Sequence, residues 1–261
     1  MNLTDLSARA SRPLFVPFIY RLAARMAQLP EENLLESPTT LAGALRDAQR
    51  LFGYDAVLSH FDLGLAAEAC GGLSHGRAEE IVHRGRWPVV LEATRRLVKE
   101  LGNRVVVMGV LTGPLALARR LGDGSLDRAG QVALALGRAY AECGVGGLVV
   151  AEEEALAPAE EHVLLTTLRP VFNLAGYFQL TSLVVAKGAS PILAGATSPT
   201  APRLVTLPEP LFTGPADAVA PVVQRTLAEA GPGPLVLGSP WEVPSATPPE
   251  TLHAIVAALR G

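Results

Sequence analysis

The stretch PTTLAGALRDAQRLFGYDAVLSHFD, residues 38–62, holds in one piece the alternation from which the rest of the chain is built. Its first half has apolar residues at three- and four-residue spacing, with Ser37 as a cap before a first-turn proline and Gly53 as a stop, so a helix is predicted over 38–53. AVLSHFD (56–62) is short and apolar almost throughout, the pattern of a strand covered by a helix on one side and filled by side chains on the other. A helix that hands over to such a strand across a glycine turn is half of a βα repeat.

Outward from this unit the same alternation continues. The predicted strands are LFVPFI (14–19), AVLSHFD (56–62), RVVVMGVL (104–111), GLVVAE (147–152), PVFNLA (170–175), PILAGA (191–196), RLVTL (203–207) and PLVLGS (234–239). Helix-period segments at 38–53, 88–101, 126–143, 215–230 and 248–260 lie between them, with Gly53, Gly102, Gly144, Gly188 and Gly231 where segments end. Eight strands alternating with helices over 261 residues predict one α/β domain spanning 1–261, a (β/α)8 TIM-type barrel. The proline-rich stretch 198–215 leaves too little chain between strands six and seven for a covering helix, so the barrel wall is expected to thin there.

Composition narrows the function classes. With 49% hydrophobic and 18% charged residues the chain can bury a large core. A net charge of -3 with no basic run argues against a nucleic-acid partner. Two cysteines, Cys70 and Cys143, form neither a CxxC pair nor a Cys/His pair at metal-ligand spacing, which fits a reduced, cytoplasmic setting. Neither a signal segment nor an apolar run long enough for a membrane span is read, so no membrane partner is expected; a homodimer remains open.

In a barrel the chemistry sits where strands end at the C-terminal face. Tyr20, Arg21 and Arg25 follow strand one, His60 and Asp62 close strand two, Glu152 to Glu154 follow strand four, and Asn173 falls in strand five. Arg21 and Arg25 are four apart, the spacing of a guanidinium clamp for carboxylates or phosphates and equally of a solvated helix face. Asp62 ends an apolar strand, where a carboxylate faces either an open mouth or the next helix as its cap. His60 can titrate near neutrality or simply pack, and of the three glutamates only Glu152 reads as a site candidate. Both cysteines read as small buried hydrophobes.

Several segments, in order along the chain, resemble the uroporphyrinogen decarboxylase superfamily, which holds both decarboxylases and corrinoid-linked, zinc-dependent methyltransferases. IYRLAAR (19–25) is similar to the decarboxylases' arginine segment, and LAGALRDAQRLFGYDAVLSHFDLGLAAEACG (41–71) resembles their helix, glycine turn and aspartate-ended strand. GVLTGPLALARRL (109–121), AYAECGVGGLVVAEE (139–153) and LGSPWEVPSATPPETLHAIVAALR (237–260) follow in family order. The resemblance implies a role for Asp62 at the reacting group and for Arg21 and Arg25 on substrate carboxylates, with Tyr20, His60, Glu152, Asn173 and Ser239 around the ligand. The family's tyrosine falls at Arg120 and its C-terminal histidine at Ser239. The methyltransferases' zinc segment falls on Asn173-Leu174-Ala175-Gly176 and their second cysteine near Trp241, so no metal is expected.

The function these readings lead to is a cofactor-free lyase of the decarboxylase type, acting on a carboxylate or tetrapyrrole ligand of porphyrin metabolism. The alternative is a methyltransferase-like protein without the usual zinc site, or a ligand-binding relative without catalysis.

Overall fold

The computed structural model describes residues 1–71, 77–188 and 202–260, and residues 192–194 by their backbone. Among these lie β1 (Leu14–Phe18), β2 (Ala56–Leu58), β3 (Val106–Thr112), β4 (Gly147–Glu152), β5 (Thr181–Ala186), β6 (Ile192–Ala194), β7 (Arg203–Thr206) and β8 (Leu235–Glu242). They form two sheets, in the orders β1-β8-β7 and β2-β3-β4-β5-β6. Every ladder is parallel except that between β5 and β6. Pairing of the last strand with the first is the arrangement that closes an α/β barrel.

The seam between the sheets is carried by a few bonds. Asp55 N–H donates to the Phe15 carbonyl at 2.8 Å. The Asp55 carboxylate accepts from Phe15 N–H at 2.8 Å and from Arg12 at 2.7 and 2.9 Å, so one residue ties the start of β1 to the start of β2.

The helices are α1 (Leu3–Arg9), α2 (Tyr20–Met26), α3 (Pro38–Phe52), α4 (Leu65–Cys70), α5 (Trp87–Leu101), α6 (Pro114–Leu121), α7 (Leu126–Glu142), α8 (Pro158–Thr167), α9 (Arg169–Tyr177), α10 (Val219–Ala230) and α11 (Pro249–Arg260). The helix of the decisive unit folds as its sequence predicts, whereas its strand is shorter than the expected 56–62 and ends at Leu58, leaving His60 and Asp62 in the loop that follows. Ser37 accepts from Thr40 N–H to cap α3, and Gly53 ends it at φ 72, a left-handed conformation that glycine adopts without a Cβ clash. Gly109 has a different role: a Cβ there would lie 2.3 Å from the Tyr140 ring, so its absence lets α7 lay Tyr140 against β3.

One strand is corrected. PVFNLA (170–175) lies in α9, with Pro170 in its first turn and Val171 and Ala175 buried one helical turn apart. A short apolar run does not distinguish a buried strand from a helix face, and here the proline start decides for helix. The fifth strand is TSLVVA (181–186), masked in the sequence by Thr181 and Ser182, both of which are buried. The β4–β5 connection therefore holds α8 and α9. The thinning expected between strands six and seven falls on residues that lie outside those described; β5 and β6 are antiparallel neighbours, which need no crossover helix.

Candidate active site at the C-terminal mouth

The mouth owes its shape to a break in the β1–β8 ladder. Val16 pairs with Gly238 and Phe18 with Glu242, so Ser239, Pro240 and Trp241 stand opposite Pro17 alone. Prolines on both strands cannot donate to the ladder, and strands accommodate them at bulges. The Ser239 hydroxyl accepts from Phe18 N–H at 3.0 Å, and Val243 N–H donates to the Phe18 carbonyl at 2.7 Å. The bulge turns Trp241 onto Phe61 (ring centroids 5.1 Å apart), which in turn meets Phe18 at 5.2 Å. Ser239 is thus a strand fastener, buried and bonded to backbone.

Beyond the bulge β8 ends on Glu242, whose side chain is 6% exposed. Its carboxylate accepts from Arg21 N–H at 2.6 Å and pairs with Arg21 Nε at 3.2 Å. Burial pushes Glu242 up to about 7, against the lowering effect of the Arg21 backbone and guanidinium. Tyr20, one residue earlier on α2, is 2% exposed, and its hydroxyl has no hydrogen-bond partner. Burial raises the phenol, and the carboxylates of Asp62, Glu31 and Glu242 raise it further while Arg86 opposes them. A buried donor that is held protonated and lacks an acceptor is costly unless something else completes it.

Asp62 sits opposite, beyond β2. Its Oδ1 accepts from Gly64 N–H at 2.9 Å, fastening the turn before α4, while Oδ2 lies 3.5 Å from Arg86 Nη2. It is therefore both a turn cap and part of the charged mouth. Arg21 and Arg25 do not form a clamp: Arg21 is held by Glu31 and Glu242, and Arg25 donates to the Thr247 carbonyl at 2.9 Å.

The other candidates are structural in their contacts. His60 is buried, with Nε2 at 3.2 Å from the Val110 carbonyl and Nδ1 accepting from Asp62 N–H at 3.1 Å, and burial lowers it to about 4. Both bonds suit the neutral ring with its proton on Nε2. Glu152 accepts from Leu115 and Ala116 N–H at 3.0 and 2.7 Å, capping α6 from a neighbouring strand, and burial pushes it up to about 7. Asn173 is exposed on α9, away from any strand end, because its segment is helical. Cys70 and Cys143 are buried, as expected for small hydrophobes.

Two residues that the sequence reading passed over complete the mouth. Glu242 went unseen because Pro240 reads as a strand stop; extending strand eight past the proline would have exposed it as a polar strand end. Arg86 precedes α5 in an RGRW run and joins Asp62 to Glu68. Arg120, where the resembled family has a tyrosine, makes a two-point pair with Glu153 at 2.8 and 2.5 Å.

A methyltransferase shares this fold. The chain is similar to the solved structure of a methyltransferase from Methanosarcina mazei, with a TM-score of 0.76 and 18% identity, covering 99% of this chain and 96% of that one. No protein-family model matches the sequence, and no curated protein matches it. At this identity the likeness speaks for the fold. No helix among the described residues is long and apolar enough to cross a membrane.

The expectation of a lyase in porphyrin metabolism is corrected by these findings. The similar solved structure is a methyltransferase, and the guanidinium pair on which the decarboxylase reading relied is engaged within the protein. The zinc centre implied by the methyltransferase resemblance does not fit these residues either. Asn173 and Ala175 lie on α9 and Trp241 on β8, and among the described residues no three His, Cys, Asp or Glu side chains gather as metal ligands.

Proposed function

We propose that the chain is a methyltransferase-like barrel protein of the uroporphyrinogen decarboxylase superfamily that binds a small ligand at its C-terminal mouth without the zinc site of its relatives. The observation that carries this reading is the buried, unpartnered Tyr20 hydroxyl beside Glu242 and Asp62 at the strand ends. Such a hydroxyl gains most from a ligand that offers an acceptor atom.

The chemistry follows from the two groups. Tyr20 donates a hydrogen bond that orients the ligand, and Glu242, with a proton affinity matched to neutral pH, takes the proton of a protic acceptor. The acceptor's X–H bond breaks as its lone pair takes the methyl group; the donor leaves with the electron pair of the broken methyl bond. Glu242 thus supplies by general-base catalysis what a metal supplies by acidifying a bound acceptor.

Methylcobalamin as donor, with a panel of thiol and alcohol acceptors, tests the reading. The expected result is turnover by the wild type that falls about a hundredfold or more in Glu242→Gln, in line with the usual contribution of a general base. Thermal-shift measurements on the same panel identify a binder without turnover, a reading favoured by the engagement of Arg21 and Arg25 within the protein. Neither turnover nor stabilisation across the panel would overturn both.

A further inference from the structure

The opposite end of the barrel carries an unassigned charged cleft. About 310 Å³ in volume, it is lined by Arg12, Arg50, Arg104 and Arg260, with Asp55 as the only acidic lining residue. These residues come from places distant in sequence: the lead into β1, the last turn of α3, the lead into β3 and the last turn of α11. Four guanidiniums and one carboxylate leave three positive charges in a chain whose overall charge is -3.

Helix geometry explains part of this excess. α3, α5 and α11 all end at the cleft, and each C-terminus carries roughly half a negative charge, so about 1.5 of the three positive charges offset helix ends. The remainder has no counter-charge in the lining. Asp55 is consumed by Arg12 and Phe15 N–H. Arg260 donates one bond, to the Gly53 carbonyl at 2.9 Å, and keeps the rest of its fork. Arg50 and Arg104 are exposed and make neither a close ion pair nor a side-chain hydrogen bond among the described residues, Arg50 acting only at longer range on Asp47 one turn earlier in α3.

We infer that this cleft is a second binding site, for a small molecule bearing two or more linked phosphoryl groups. Guanidinium forks converging from separate elements suit an anion whose oxygens point in several directions, and a diphosphate group concentrates its charge in one compact unit. A cleft of this size admits such a group, and the walls offer no exposed aromatic surface for a base or ring, since Tyr54 is buried. Binding would tie the end of α11 to the α3–β2 turn and to the lead into β3, at the end of the barrel away from the mouth.

Calorimetric titration with sodium pyrophosphate, orthophosphate and citrate, at low and at physiological ionic strength, tests the inference. One pyrophosphate per chain is expected, bound more tightly than orthophosphate or citrate and weakening as salt rises. Arg104→Ala should weaken it about tenfold and Arg50→Ala/Arg104→Ala further, while Arg225→Ala, far from the cleft, leaves it within about twofold. All three substitutions are at exposed side chains, and circular dichroism checks that each variant is folded. No binding of pyrophosphate at millimolar concentration, equal affinity for citrate, or affinity unchanged by the double substitution would each overturn the proposal.

Discussion

Three buried ionisable side chains give the residue scale a measurable signature. Burial holds Glu152 and Glu242 up at about 7, so between their ordinary carboxylate range and pH 7 the folded state binds protons that the unfolded chain has released. Their contribution to stability is full below that range and is lost as pH rises towards 7. His60, lowered to about 4, acts in the opposite sense: its contribution is present above the ordinary imidazole range and is lost as pH falls towards 4. Two glutamates outweigh one histidine in the overlapping window. Urea unfolding at pH 5 and pH 7 is therefore expected to show the wild type losing stability over that interval, and Glu152→Gln/Glu242→Gln to remove or reverse the trend. A wild type that gains stability from pH 5 to 7 would contradict the burial of both carboxylates.

At the scale of elements, two connections depend on single residues. A methyl group at Gly113 would lie 2.2 Å from the Glu152 carboxyl, so Gly113→Ala is expected to push that carboxylate off the start of α6 and cost about 1–3 kcal/mol by unfolding. Ser239→Ala leaves buried Phe18 N–H without its acceptor and should cost about 1–3 kcal/mol as well, with the β1–β8 bulge loosened. Legibility from sequence followed how much each element advertises itself. α3 is readable because cap, period and glycine stop agree, and the strand after it because a helix hands over to it, although it stops at Leu58, short of the 62 that the apolar run suggests. α9 reads as a strand because six apolar-rich residues suit either period, and β5 is hidden by two polar residues that are nonetheless buried, one on each face of the strand. Asp62 and Tyr20 were legible as strand-end polar residues, whereas Glu242 lay behind a proline that a bulge accommodates.

Across the whole molecule, the two sheets meet through Asp55, and the two ends of the barrel carry different charge. Asp55→Ala leaves Phe15 N–H without its side-chain acceptor and Arg12 with only the Pro13 carbonyl at the seam, and is expected to cost about 2–4 kcal/mol in urea unfolding, less than a fully buried pair because Arg12 is partly exposed. The mouth, by contrast, sets Glu242, Asp62 and Tyr20 together at the strand ends, the face at which barrels of this kind do their chemistry. The central claim is that Glu242 receives a proton there during methyl transfer. Its most direct test is the pH dependence of kcat/KM for methyl transfer in the wild type and in Glu242→Gln. The account predicts a wild-type rate that rises with pH through about 7, as the carboxylate loses its proton, and a much lower rate without that rise in the variant. A variant that keeps the wild-type rate and profile would contradict it.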